Sequence, residues 1–382
     1  MRETLKALRT AALVVTVGAC SDTDRVTAPG ESPELAASRG QAAAGAVYLA
    51  TNATNGNQVL VLARAGDGGL SAPQAFSTGG TGTGGGLGSQ GGVVLAHENR
   101  RLLVVNAGSN DISVFALTSN GVELLDRVPS GGERPISVTV FRGLVYVLNA
   151  GGSGNISGFR LDVHGGLHPL PSSTRPLSTS ASDPAQVAFG PDGTTLAVTE
   201  KATNRISTYD VSEDGLPSGP NAQPSAGATP FGFAFDRHGT LVVSEAFGGA
   251  PGASALSSYR LAGNGTLQVI SESVGTTQTA ACWVVITGNG RFAYTSNTGS
   301  GNISGYLIGK DGSLSLLNAG GVTGVTGAAP IDLALTQGDR YLYSLNSGSA
   351  TISAFRVESD GSLAALEGVS GIPAGANGLA AR

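Results

Sequence analysis

A short pattern of apolar and polar residues recurs along most of the chain. Each copy has an alternating apolar run, then Asn or Glu, a small polar loop, and Ile-Ser-x-Phe/Tyr or a close variant. Alternation with a period of two is typical of β-strands, because successive side chains point to opposite faces. The motif returns about every 49 residues. The seven copies span residues 47–62, 103–117, 145–161, 196–211, 241–261, 292–307 and 342–357.

Further strand and turn signals flank each copy. An apolar strand, led by Pro in residues 184–189, 230–235 and 330–335, precedes the motif. Glycine-containing tight turns follow this strand, as at 190–193, and also follow the motif, as at 213–215. Four short strands per unit predict an all-β fold, a seven-bladed β-propeller with four-stranded blades.

The two ends of the repeat array complement each other. The first unit lacks the innermost strand that precedes the other motifs, while residues 375–382 resemble such a strand and end the chain. We therefore expect this C-terminal strand to complete the first blade, because closing the ring removes exposed sheet edges. The propeller would span residues 46–382.

The N-terminus has the features of a secretory signal. Basic residues precede an apolar run at 10–17, and small residues lead to Cys20, as in a bacterial lipobox. We predict a lipoprotein signal peptide at 1–19 and a lipidated Cys20 followed by a flexible tether over 20–45. The protein would be lipid-anchored in the bacterial cell envelope, facing the periplasm or exterior. An ordinary signal cleaved near Ala19 is the alternative.

Composition narrows the possible functions. The 22 Lys and Arg against 27 Asp and Glu give a net charge of −5, and the basic residues are scattered. Nucleic acid is therefore excluded as a partner, because its binding requires a basic patch. The two cysteines, Cys20 and Cys282, do not form a disulfide framework, and Cys282 is expected in the core.

The strand order predicts two distinct faces of the disc. The inner strands begin and the second strands end on one face, which we call the strand-end face, whereas the glycine turns lie on the opposite turn face. The residues expected to close the second strands are Asn52, Asn106, Asn149, Glu200, Glu245, Asn297 and Asn346.

Two of these seven positions carry carboxylates, on neighbouring blades. Glu200 and Glu245 depart from the Asn of the other units, and two nearby carboxylates can supply one acid and one base. We predict that they are catalytic. The alternative is a structural pair held by Lys201 or Arg205.

A second ring of residues is expected near the start of the inner strands. Its members are Gly92, Ser137, Gln186, Gly232, Trp283, Asp332 and Gly378. The small residues should leave room at the channel mouth, into which Gln186, Trp283 and Asp332 extend. Trp283 would be either a stacking platform or a packed residue between blades. Asn149 and Asn297 join the predicted substrate-binding set, although Asn at a strand end also bonds its own loop.

The histidines fall in the wrong places for catalysis on the strand-end face. His97 and His238 lie in first turns, and His164 and His168 lie at or after a second turn. The sequence thus predicts neither a Ser-His-Asp triad nor a His-based metal site. No cofactor is predicted, although a divalent cation such as calcium could bind oxygen ligands at the channel mouth.

The Pro-led inner strands, the Pro-Asp-Gly turns and the Ile-Ser-x-Phe/Tyr strands resemble the lactonase-type seven-bladed propeller family. This family includes bacterial phosphogluconolactonase and fungal carboxymuconate cyclase. The resemblance implies a histidine near the start of an inner strand, where this chain has residues 183–186 without one. Glu200 is similar in placement to the family's strand-end acidic residue, and Arg134 precedes an inner strand.

Two functions remain open. The first is a hydrolase, or related cyclase, of a small sugar-acid or muconate-type lactone. Glu200 and Glu245 would be acid and base, Phe231 and Trp283 apolar walls, and Arg134 the partner of a carboxylate. The second is a non-catalytic envelope propeller that binds a glycan, peptide or protein.

Overall fold

The computed structural model describes residues 43–96 and 100–382, and its regular structure is almost entirely β-strand. A single 3-10 turn, Phe247–Gly249, interrupts the strands of this part of the chain. The predicted signal peptide, tether and lipidated Cys20 lie outside the described residues, as does His97. The described residues include no helix long and apolar enough to cross a membrane.

Seven antiparallel sheets form the blades, and in blades 2 to 7 the strands follow the chain from the inside outward. Blade 2 consists of Val93–Ala96, Arg101–Asn106, Asp111–Thr118 and Gly121–Pro129. Blade 3 consists of Pro135–Phe141, Leu144–Asn149, Asn155–Leu161 and an outer strand in two pieces, Leu167–Pro169 and Arg175–Pro176. Blade 4 consists of Pro184–Phe189, Thr195–Glu200, Arg205–Val211 and Pro217–Pro224. Blade 5 consists of Pro230–Phe235, Thr240–Glu245, Ala255–Leu261 and Leu267–Gly275. Blade 6 consists of Ala281–Ile286, Phe292–Asn297, Asn302–Ile308 and an outer strand in two pieces, Leu314–Leu316 and Gly324–Val325. Blade 7 consists of Pro330–Leu335, Tyr341–Asn346, Thr351–Val357 and Leu363–Ser370.

Blade 1 is built from both ends of the propeller. Gly45–Ala50, Gln58–Arg64 and Gln74–Ser77 supply its outer three strands, and Asn377–Ala381 supplies the innermost one. Asn377–Ala381 pairs antiparallel with Gly45–Ala50, with Val47 opposite Ala381. The inner strands contact one another in blade order and return to the first, so the ring is closed. The seven-bladed fold and its C-terminal closure are confirmed.

The motif aromatics form much of the core between blades. The six aromatic anchors are almost fully buried: Phe115, Phe159, Tyr209, Tyr259, Tyr306 and Phe355. Burying an aromatic side chain of this size stabilises the fold by about 1.5–3 kcal/mol. The repeated aromatic position therefore contributes to the stability of each of these six blades.

In blades 3 to 7 the inner strands begin with a special backbone geometry. The preceding residue has a positive φ in each case and is never glycine: Arg134, Asp183, Thr229, Ala280 and Ala329. A register shift follows within the first residues of each strand, for example between Pro184 and Gln186. Such a bulge changes the direction of the next side chains.

Candidate active site

The two predicted catalytic glutamates are fully buried at the ends of their second strands. Glu200 Oε1 accepts hydrogen bonds from the Ser178 N–H at 3.0 Å and the Ser207 hydroxyl at 2.7 Å. Its Oε2 accepts from the hydroxyls of Thr203, at 3.1 Å, and Ser178. Hydroxyl and backbone N–H groups thus enclose this carboxylate.

Glu245 has a similar environment one blade further on. Its Oε1 accepts from the Gly227 N–H at 2.7 Å and the Ser257 hydroxyl at 2.5 Å, and its Oε2 accepts from the Ser273 hydroxyl at 2.6 Å. Burial raises the pKa of Glu245, and these hydrogen bonds partly oppose the rise. Glu245 and Glu200 share no hydrogen-bond partner.

Four of the five asparagines at the same position make the same bond with the opposite polarity. Nδ2 of each donates to the serine hydroxyl of the same motif copy, in the pairs Asn106–Ser113, Asn149–Ser157, Asn297–Ser304 and Asn346–Ser353. Asn52 Nδ2 instead donates to the Thr83 hydroxyl and the Gly85 carbonyl. Glu200 and Glu245 accept from the equivalent Ser207 and Ser257. The shared role of this position is to tie the second strand of a blade to the third. The catalytic role of the two glutamates stays a prediction.

The ion pairs considered as the structural alternative are not formed. Lys201 Nζ lies 3.4 Å from Asp183 Oδ1, and Arg205 donates to the backbone oxygen of Ala222. Hydroxyl groups replace the expected cations around the carboxylates.

A glycine-rich segment crosses the channel on the strand-end face. Residues 78–92 connect blades 1 and 2, and nine of these fifteen residues are glycine. Ser89 Oγ donates to the Ile136 carbonyl of blade 3, at 2.9 Å. The Gln90 backbone N–H donates to Ala185 of blade 4, and its side-chain amide exchanges two hydrogen bonds with the Val284 backbone of blade 6. The segment therefore spans the ring.

Lys201 and Trp283 hold this segment in place. Lys201 Nζ donates to the Gly88 carbonyl at 2.9 Å, and the Trp283 indole N–H donates to the Ser89 carbonyl at 2.9 Å. Trp283 and Phe231 are nearly buried, with ring centroids 4.9 Å apart, and Lys201 Nζ lies 5.0 Å from the Phe231 centroid. Trp283 thus packs against the protein's own chain.

Small residues of the inner-strand ring leave space for the glycine-rich segment. A Cβ at Gly232 would overlap Oε1 of Gln90, and Ser137 lies next to Gly91. The room that the sequence predicts for a ligand at this mouth is filled by the glycine-rich segment itself. The sequence does carry a signal for this packing, because no other connection between blades is as rich in glycine as the one between blades 1 and 2.

The other predicted binding residues have separate positions. Gln186 bridges blades 4 and 5, because its amide both donates to the Phe233 carbonyl and accepts from the Phe233 N–H. Arg134 is exposed, and its backbone N–H donates to Asn110. Asn149 and Asn297 are fully buried at their strand ends. Contact of these residues with a substrate stays a prediction, and Cys282 is buried in the core as expected.

The channel holds a cavity of about 590 Å³ that reaches the turn face. Gln90, Gln186 and Asp332 lie at its inner end, and the turn residues Gly288 and Gln337, both exposed, lie at its outer end. A second cavity of about 500 Å³ shares Gln90 and Gln186 and is also lined by Arg237. The open part of the channel therefore faces the turns.

Asp332 is the buried carboxyl group of this cavity, and its residue is 2% exposed. Oδ1 accepts a hydrogen bond from the Leu333 N–H at 2.8 Å, whereas Oδ2 has no partner. Burial raises the pKa of Asp332 well above its usual value, and the backbone N–H groups of Leu333 and Leu379 partly oppose the rise. The sequence predicts that Asp332 extends into the channel, but as a substrate-binding residue rather than a catalytic one.

Within residues 43–96 and 100–382, no three His, Cys, Asp or Glu side chains are grouped so that they could hold a metal ion. The described histidines, His164, His168 and His238, are exposed in turns or on an outer strand.

Comparison with known proteins gives a family and a set of similar structures. A comparison with curated proteins gives no significant match. A 6-phosphogluconolactonase proposed in Bacteroides fragilis is 18% identical, with a TM-score of 0.70 over 88% of this chain and 98% of that one. A Lactobacillus plantarum protein is 17% identical, with a TM-score of 0.70 over 88% and 99%. The periplasmic gluconolactonase of Pseudomonas aeruginosa is 16% identical, with a TM-score of 0.67 over 88% and 98%.

The family match is more specific than these likenesses of fold. The model of the seven-bladed β-propeller lactonase family matches residues 168–246 and 251–375, together more than half of the chain. These residues include most of blades 4 to 7, with Glu200, Glu245 and Asp332. The chain therefore belongs to the seven-bladed β-propeller lactonase family.

Proposed function

We propose that this protein hydrolyses a small lactone in its central channel. The observation that carries the proposal is the cavity of about 590 Å³ in a member of the lactonase family. Its volume falls within the range of about 300–1,000 Å³ that is usual for small-molecule sites. One end is closed by the glycine-rich segment and the other opens to solvent, so the cavity is a blind pocket.

The chemistry of the lining favours a small, partly polar ring. Apolar side chains such as Val187 and Leu333 alternate with the polar groups of Thr139, Thr336 and Gln337. A sugar-acid or muconate-type lactone has both an apolar ring face and polar substituents. Two similar structures carry gluconolactonase names, which supports the same substrate class.

Proton release on lactone opening tests this proposal. The full chain would be mixed in weak buffer with a panel of aldonolactones, aliphatic lactones and muconolactone, because each hydrolysis yields an acid that ionises. We expect at least one lactone to open about 100-fold faster than without protein. Heat-unfolded protein is the control for catalysis by surface groups. No acceleration on any lactone would contradict the proposal and favour the non-catalytic binding propeller.

A further inference from the structure

We infer that Asp332 is the general acid of this hydrolysis and that the substrate reaches it through the turn face. The inference rests on the proposed function and adds the reacting group and the route. Asp332 lies in the inner strand Pro330–Leu335 of blade 7, at the register shift that follows Pro330, and it lines the cavity.

One oxygen of the Asp332 carboxyl group, Oδ2, has no hydrogen-bond partner. Among the described buried side-chain atoms without a hydrogen bond, Asp332 Oδ2 is the only carboxylate oxygen. The other buried carboxylates are well supplied: Asp111 bonds Asn106 and Arg127, and Asp236 accepts two backbone N–H groups. A buried carboxyl oxygen without a partner costs about 1–3 kcal/mol, so it requires an explanation other than stability.

Two other members of the same ring have clear structural roles. Gln186 uses both ends of its amide to join two blades, and Trp283 anchors the glycine-rich segment. Asp332 accepts a hydrogen bond from the next residue of its own strand, and the Leu379 N–H of the closing strand also acts on its carboxyl group. Asp332 nevertheless lines the cavity and leaves Oδ2 without a hydrogen bond.

The shape of the channel determines the route to Asp332. On the strand-end face, Gly88, Ser89 and Gln90 are tied to Lys201, Trp283 and Val284. On the turn face the cavity continues to the exposed Gly288 and Gln337. A ligand that reaches Asp332 therefore comes from the turn side.

The reaction then balances with water as the only co-reactant. Water adds to the lactone carbonyl carbon, and the ring C–O bond breaks. The protonated Asp332 carboxyl group gives its proton to the leaving ring oxygen, which becomes a hydroxyl group. The carboxylate regains a proton from the attacking water, so the product is the hydroxy acid. Burial keeps the pKa of Asp332 high, which favours the protonated form that an acid catalyst requires.

Two substitutions at one position test the role of the acid. With a lactone that the wild-type full chain hydrolyses, Asp332→Asn should lower kcat about 100-fold or more, because general acid catalysis supplies about that factor. In Asp332→Ala, added formate should restore part of the rate, since a small carboxylic acid can occupy the vacated space. Rescue by formate would not occur if Asp332 were only structural.

The matched control is Asp183→Asn, which removes a largely exposed carboxylate on the strand-end face. It should keep the wild-type rate. An Asp332→Asn variant that melts normally and retains its rate would overturn the inference while leaving lactone hydrolysis intact. A wild type that opens no lactone would overturn the proposed function and the inference together, so the two failures are distinguishable.

A pair of Ala→Trp variants tests the route. Ala188 lines the cavity, and Ala202 is exposed on the strand-end face. Ala188→Trp should lower kcat/KM at least about tenfold by obstructing the cavity, whereas Ala202→Trp should not change it. The reverse result in variants of normal melting temperature would contradict access from the turn face.

Discussion

At the residue scale, a repeated position can acquire a different role in each blade. In the inner-strand ring, Gln186 joins two strands, Trp283 fixes a loop and Gly232 makes room for Gln90. Asp332 occupies the same position but presents an ionisable group to a cavity. A propeller can therefore place an ionisable group beside its channel by a single substitution, because the other blades maintain the ring.

The burial of Asp332 should be visible as a pH dependence of stability. Its folded-state pKa is raised above the ordinary value of 3.8, so its contribution to stability is fully present below that pH and is lost as pH rises through the folded-state pKa. The Asp332→Asn variant does not lose stability in this way, because Asn does not titrate. Between pH 3.8 and the folded-state pKa of Asp332, the free energy of unfolding of the variant should therefore rise relative to that of wild type by about 1.4 kcal/mol per pH unit.

Thermal unfolding of both proteins across the acid-to-neutral range measures this difference. Glu245, whose pKa is also raised by burial, is present in both proteins, so its contribution cancels in the comparison. A difference in melting temperature that stays constant with pH would show that Asp332 does not titrate as its burial requires.

Part of this site could be predicted from the repeats. The register of the units placed Asp332 and Gln186 in the channel. The hydroxyl groups around Glu200 and Glu245 could not be predicted in the same way. Ser178 comes from a loop between blades and Ser273 from an outer strand, and neither has a fixed spacing from its glutamate in the repeat.

At the element scale, strands with alternating side chains were easier to predict than the segment that closes the channel. Six second strands end at the predicted Asn or Glu. In blade 1 the strand ends at Ala50, because Asn52 adopts a positive φ and its N–H donates to Asn57. The glycine-rich segment has no periodicity, and its contacts are with blades 3, 4 and 6, far away in sequence.

The fit between this segment and the ring should be sensitive to one methyl group. Gly232→Ala would place a Cβ against Oε1 of Gln90 and the Cys282 carbonyl, which should lower the free energy of unfolding by about 1–3 kcal/mol. Gly275→Ala is the matched control, because a Cβ there meets nothing within 4 Å. Urea unfolding of the two variants compares them, and equal stabilities would show that the segment does not pack against Gly232.

At the scale of the whole molecule, the fold follows from seven repeats and one closing strand. Asn377–Ala381 pairs with Gly45–Ala50, so the described propeller is closed by the chain's last strand. The sequence could predict this because the first unit lacks what the last residues supply. It could not predict which end of the channel is open, since that depends on a connection between blades rather than on the blades themselves.

The central claim is that lactone hydrolysis takes place at Asp332 in the cavity open to the turn face, and not at Glu200 and Glu245, the candidates that the sequence singles out. The most direct measurement is kcat/KM of a Glu200→Gln/Glu245→Gln double variant for a lactone that the wild type hydrolyses, beside Asp332→Asn. Gln keeps one acceptor oxygen, and its NH2 group can donate to the hydroxyl groups that bonded the other oxygen. We therefore expect the double variant to stay within about threefold of wild type while Asp332→Asn loses about 100-fold. A double variant of unchanged melting temperature that loses activity, with Asp332→Asn fully active, would contradict this account and assign catalysis to the two glutamates.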